Sequence, residues 1–249
     1  MNRRALRWWL LGAVAYLVFL GATFPAQYVA DHVAKKLPAL QLSGVEGNLF
    51  SGSATQVSYQ GNPLGALDWH FDWWAPLTLS FGYRIDLHAE DRDLRGRVDF
   101  GFNRVVLKEL EGRIPVSAFG SLLPLPPNSL DGALSPHLGQ VTLKGGHLVS
   151  AEGELDLDEA TLKWPTSATL GSFRMQLVPA ADGVRAELAD VASPFKLNAA
   201  LSLTAAGAYH LSGTLGARDS GDTATRNLLA GLGKPDSTGQ YPFDFNGQW

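Results

Sequence analysis

The sequence predicts an all-β protein. A long, curved antiparallel meander sheet, folded over on itself or left groove-like, follows an N-terminal transmembrane helix, and the other helices are few and short. Three observations carry this expectation. Beyond residue 40, apolar residues recur at every second position in run after run, which is the period of a strand with one dry and one wet face. Turn formers separate the runs, with 27 glycines and 14 prolines against 18% charged residues, a composition suited to many short strands. The stretch from Trp8 to Phe24 carries no charge at all.

That stretch comes first in the chain. Its 17 residues would reach roughly 25 Å as a helix, the short end of what crosses a bilayer core. Trp8, Trp9, Leu10, Leu11, Val14, Tyr16, Leu17, Val18, Phe19 and Leu20 form its apolar body. Arg3, Arg4 and Arg7 precede it with no acidic residue among them, so the positive-inside rule holds residues 1–7 in the cytoplasm. Trp8 and Trp9 suit the interface, where an indole keeps one wet edge. A cleaved signal peptide shares these features but needs small residues at alternate positions. Phe24 spoils both Ala22-x-Phe24 and Phe24-x-Ala26, so the uncleaved anchor is the expectation.

Residues 25–38 read as a short stalk helix. Pro25 suits its first turn, and Val29, Val33 and Leu37 repeat at helical spacing beside Ala26, Ala30 and Ala34. Lys35 and Lys36 oppose the helix dipole at its end, and Pro38 stops it.

Residues 39–249 read as one antiparallel β domain outside the cytoplasm. Leu67, Trp69, Phe71 and Trp73 alternate with Asp68, His70 and Asp72. Leu77, Leu79, Phe81, Tyr83, Ile85 and Leu87 alternate with polar residues or glycine. One-sided patterns of this kind belong to antiparallel sheets. Leu67, Trp69, Phe71, Trp73, Leu79, Phe81, Tyr83 and Ile85 therefore share one apolar face, either core or groove. Leu94, Val98 and Phe100 continue the pattern, and a strand is expected from Val105 to Leu110. Val116 to Leu122 reads as a helical turn and Pro124 to Asn128 as an exposed connection, the best boundary between two halves. Short strands follow at Val141–Leu143, Leu155–Leu157, Leu162–Trp164, Phe173–Leu177 and Val184–Leu188. Phe195 to Leu203 and Tyr209 to Leu215 alternate cleanly. Thr223 to Leu232 is the one later helix, ended by Gly233, and Tyr241, Phe243 and Phe245 make a last strand.

Composition excludes several function classes. Past the three arginines, about 17 basic residues face 24 acidic ones, a net of about −7. That disfavours nucleic acid and anionic headgroups as partners. There is no cysteine, hence no disulfide or thiolate metal site. No GxSxG, HExxH, CxxC or Walker loop occurs, so no catalytic residue, cofactor or metal site is expected. Asp68, His70 and Asp72 would line up on one strand face, but they read as the wet side of their strand rather than as metal ligands. Trp164-Pro165 and Trp73-Trp74 read as core or edge aromatics rather than a sugar platform.

Three stretches bear a family resemblance. VEGNLFSGSA follows the stalk, the Leu67-to-Trp74 strand follows that, and the tail carries AAGAYHLSGTL and LLAGLGKPDSTGQYPFDFNGQW. In this order, behind an apolar anchor, they resemble the type II secretion system protein N family along the whole chain. The resemblance implies an accessory inner-membrane component of the general secretion pathway, exporting folded periplasmic proteins across a Gram-negative outer membrane with other secretion components as partners. It implies no catalytic residue. Gly44, Gly47, Leu49, Ser51, Gly52, Gly207, Tyr209, Gly213, Pro235, Asp236 and Gly239 read as architectural. An open sheet would instead resemble the β-groove proteins of the bacterial envelope and suggest a carrier of lipid or hydrophobic segments.

Overall fold

The computed structural model describes residues 8, 9, 12, 16, 19, 23–28, 30, 40–59, 61–72, 81–119, 126, 129–164, 167–219, 221–230 and 233–248. Among the described residues, thirteen strands follow one another in both sequence and space, each hydrogen-bonded antiparallel to the next. They are β1 (Leu40–Gly47), β2 (Ser51–Tyr59), β3 (Asn62–Asp72), β4 (Phe81–Ala89), β5 (Arg92–Gly101), β6 (Arg104–Pro115) and β7 (Leu130–Lys144). The series continues with β8 (His147–Leu162), β9 (Ala168–Ala180), β10 (Gly183–Ala192), β11 (Phe195–Thr204), β12 (Ala208–Ala217) and β13 (Tyr241–Gln248). The all-β meander expected from the alternation is therefore present, and β1 and β13 are its two edges.

The apolar sides of neighbouring strands are in register. Phe71 lies opposite Tyr83, Tyr83 opposite Val98, Val98 opposite Leu107, Leu107 opposite Val141, and Val141 opposite Ala151. One apolar face thus runs without interruption from β3 to β8. It continues through Leu177, Ala186, Leu201, Leu211 and Phe245, which are successive partners from β9 to β13. Bulges keep this face coherent. Register shifts interrupt β5/β6, β7/β8 and β8/β9, and two glutamates, Glu109 and Glu159, take φ of 51° there. An extra residue flips the parity of the strand and bends it. This is how Leu107 and Leu110 share a face.

The bend closes the sheet on itself only in part. Strand β8 reaches β10 and β11 across the curve. There Val141, Ala151 and Val184 are buried, with Leu107, Leu138, Leu148, Leu177 and Leu203 packed against them. Over β3–β5 no such cluster is found among the described residues, although the 3-10 turn after β6, Val116–Phe119, reaches β3 and Val98 is 8% exposed. Phe81 is 63% exposed and Phe100 45%, and Leu67, Trp69, Phe71, Tyr83 and Ile85 are only half-buried. The sequence leaves this face as either core or groove, and the exposure of Phe81 and Phe100 favours the groove. Among the described residues no second sheet covers Phe81.

Other expectations are refined. The strand starting near Leu77 is described from Phe81, and Trp73, Trp74, Leu77 and Leu79 lie outside the described residues. The turn after β6 is a short 3-10 helix, Val116–Phe119, with residues 120–122 outside the description. The connection through Pro124 does not divide the sheet, because β6 and β7 pair directly across it. Trp164 is 57% exposed. It lies just past the end of β8, so it is not a core residue. Strand β7 is longer than the sequence suggested, because Pro136 sits inside it. Proline cannot donate to a ladder. It is tolerated here where the β6/β7 pairing breaks between Glu111–His137 and Ile114–Leu134. The later helix, α1 (Thr223–Ala230), packs on β12 through Leu229, which is 1% exposed. Asp222 caps it by accepting from the Thr225 amide at 3.2 Å.

Candidate functional site: an open apolar groove

At the N-terminal end of the sheet, the apolar face forms a groove with a cavity of about 500 Å³ among the described residues. Its floor comes from β3 to β5, with Leu67, Trp69, Phe81, Tyr83, Ile85, Val98 and Phe100. One wall is Leu42, Val45, Asn48 and Leu49 in and just after β1, and the other flank is Ala26 and Ala30. The structure thus brings together five of the sequence-predicted residues, Leu67, Trp69, Phe81, Tyr83 and Ile85. Phe71 shares their face beside the groove, its ring 5.2 Å from Phe50 and 5.3 Å from Tyr83. Tyr83 continues the aromatic row to Phe100 at 6.0 Å. Such edge-on and tilted contacts are favourable aromatic geometries. Burial pushes the Tyr83 phenol above its ordinary value, because the ionised ring would lose water.

Sequence reading missed the β1 wall, Val98 and Phe100 as groove residues, and the Ala26–Ala30 flank. The alternation of Leu94, Val98 and Phe100 pointed to this face, and the spacing of Ala26 and Ala30 pointed to one helix side. Nothing local showed that these would meet. Among the anchor residues, Trp8, Trp9, Tyr16 and Phe19 are described and exposed. Leu10, Leu11, Val14, Leu17, Val18 and Leu20, the arginines Arg3, Arg4 and Arg7, and the stalk residues Val29, Val33 and Leu37 lie outside the described residues. Among the described residues, no helix is long and apolar enough to cross a membrane.

A short connection ties the groove to the N-terminal segment. The Leu49 amide donates to the Phe24 carbonyl at 3.2 Å, and Pro25 forms an isolated bridge with Asn48. Asn48 also shapes the β1–β2 turn. Its Oδ1 accepts from the amides of Phe50 and Ser51 at 2.9 and 3.0 Å, and its carbonyl accepts from Trp69 Nε1 at 3.2 Å. The indole lies over Gly52, its register partner. A Cβ at Gly52 would come within 2.4 Å of that ring and 2.3 Å of the Glu46 carbonyl. The N-L-F-S-G stretch is therefore the device that seats Trp69 in the groove.

The tail repeats this solution. Gly247 pairs with Tyr209, and a Cβ there would meet the phenol ring at 2.5 Å. An aromatic ring laid over a cross-strand glycine near an edge shields the bare backbone. Asp236 closes the P-D-S-T-G turn by accepting from the amides of Thr238 and Gln240 at 2.7 and 3.0 Å. Its bond from the Thr238 hydroxyl, joined by those amides, holds its carboxyl below the usual range. These contacts are present at neutral pH and weaken only as the pH falls through that lowered value.

The opposite face is polar. Asp68 sits 3.6 Å from His88, Asp86 3.3 Å from Arg95, Asp72 3.6 Å from Arg97 and Asp99 2.7 Å from Lys108. His70 is exposed opposite Arg84. The Asp68–His70–Asp72 row thus runs along His88, Arg84 and Arg97 of the next strands, with Asp86 directly opposite Asp68. Among the described residues no group of three or more potential ligands could hold a metal ion.

Comparison with known proteins gives the same direction as the motifs. The family described as "Type II secretion system (T2SS), protein N" matches residues 38–244. Curated relatives named type II secretion system protein N include one from Vibrio cholerae serotype O1, 28% identical over 99% of this chain and 99% of its own. Another, from Aeromonas hydrophila, is 27% identical over 94% of this chain and 95% of its own. A third, from Klebsiella pneumoniae, is 27% identical over 96% and 94%. No solved structure matches. With a family match from just before β1 into β13 and relatives aligned along nearly their whole lengths, the protein belongs to the type II secretion system protein N family.

Proposed function

We propose that the protein is an accessory component of type II secretion, anchored in the bacterial inner membrane by residues 8–24. Its N-terminus lies in the cytoplasm and its sheet in the periplasm. Its role is structural, through contacts with other secretion components during export of folded proteins across the outer membrane. The observation that carries this reading is the family match over 38–244, with relatives aligned along nearly their full lengths. The uncharged run behind Arg3, Arg4 and Arg7 supports the anchor and its direction. No residue is assigned a catalytic role.

A phosphatase fused after Trp249 tests the topology. It should be active, and a reporter that works only in the cytoplasm should be silent at the same position. The reverse pattern removes the anchor reading. Crosslinking in cells that carry the secretion system tests the role: other secretion components should be enriched with this protein, and their absence would refute it. A second reading is a carrier of lipid or hydrophobic segments, and the open groove over β1–β5 favours it. Loss of secretion on deletion, with envelope lipids unchanged, would favour the first reading over the second.

A further inference from the structure

We propose that the groove over β1–β5 takes one acyl chain of a phospholipid from the membrane that anchors the protein; this rests on the anchor reading above. The first ground is the chemistry of the lining. Leu67, Trp69, Phe81, Ile85, Val98 and Phe100 offer carbon surface. The one amide side chain among the lining residues, Asn48, has its Oδ1 and its carbonyl engaged within the protein. A peptide strand laid over the floor of this face, away from the β1 edge, would bring N–H and C=O groups that need partners. Hydrocarbon brings none, so the lining suits hydrocarbon better.

The second ground is size. A cavity of about 500 Å³ falls within the range of small-molecule sites. With a methylene taken as about the size of a water, roughly 30 Å³, it holds about sixteen of them, or one chain. Position is the third ground. Ala26, 4% exposed, and Ala30 line the groove directly after the apolar run, and Phe24 is hydrogen-bonded to the groove wall through Leu49. Ala26 lies two residues and Ala30 six residues past Phe24, a reach of at most about 20 Å even for extended chain. An anchor ending at Phe24 therefore sets this flank beside the hydrocarbon, and a chain can bend into the groove without crossing bulk water. The exposed rings of Phe81 and Phe100 are the surface it would cover.

The test uses the full-length protein in vesicles of phosphatidylethanolamine and phosphatidylglycerol. A small share of the phospholipid carries a diazirine near the acyl terminus. After irradiation, labelled peptides are mapped. Label is expected in residues 62–72 and 81–101 as well as in 8–24. Phe81→Gln with Phe100→Gln replaces two exposed rings and should leave the fold intact. It should lower groove labelling at least fivefold, while labelling of 8–24 stays constant as the internal reference. Label confined to 8–24 would overturn the proposal, as would groove label indifferent to the double variant. Displacement of groove label by an apolar peptide but not by unlabelled phospholipid would assign the site to a hydrophobic segment and also overturn it. Groove label without label in 8–24 would support acyl binding and refute the anchor, so the two readings fail separately.

Discussion

Val184→Asp should leave almost no folded protein, whereas Ile85→Asp should be tolerated. Both residues belong to the same apolar face, linked through Val98, Leu107 and Val141. Val184 is 1% exposed among Val141, Ala151, Leu177 and Leu203. An aspartate there has no partner and no water, and costs several kcal/mol. That is comparable to the whole stability of a typical domain, about 5–15 kcal/mol. Ile85 lies on the open groove floor and is half-buried. A carboxylate there can reach solvent, so about 1–2 kcal/mol is expected. Steady-state abundance and thermal unfolding of the two variants measure the difference. Equal loss in both would mean that β3–β5 are covered after all.

Gly52→Val should lower stability by about 2–3 kcal/mol. The new side chain would have to enter space held by the Trp69 indole and the Glu46 carbonyl. Either the β1–β2 ladder opens or Trp69 leaves the groove. For a domain of this size the loss corresponds to a fall in Tm of roughly 5–10 °C. Gly101→Ala is the control, since its Cβ would meet nothing closer than 3.7 Å. An unchanged Tm for Gly52→Val would show that Trp69 is not seated on this glycine.

Much of the fold could be read from the residues. The alternation from Phe195 to Leu203 and from Tyr209 to Leu215 gives β11 and β12 directly, and their register follows. Strands β7 and β8 were harder. Parity changes at Gly139 and Glu159, where the register shifts, so a period of two ends midway and long strands look like two short ones. Pro136 adds a false stop. The apolar side of β3 and β4 was also legible, but its fate was not. Alternation says which side is dry, and only the curvature from distant bulges decides whether another strand covers it. That is why the sequence leaves Phe81 as either core or groove, and only the fold shows it exposed. The rest of the groove comes from Ala26, Ala30, β1 and β5, and no local pattern ties them together.

A single apolar face runs along the sheet, open over β3–β5 and closed near β10, and the proposed topology would display it on the periplasmic side. Because the chain has no cysteine, single cysteines report on this directly. Phe100→Cys and Val184→Cys, each in the full-length protein, are exposed to a maleimide that cannot cross the inner membrane, in cells with a permeabilised outer membrane. Phe100→Cys should label without denaturation, its thiol being reached whenever the groove exchanges its lipid, and Val184→Cys should stay protected until the protein is denatured. Labelling of Phe100→Cys only after the inner membrane is broken, or equal labelling of both thiols in intact cells, would contradict the account.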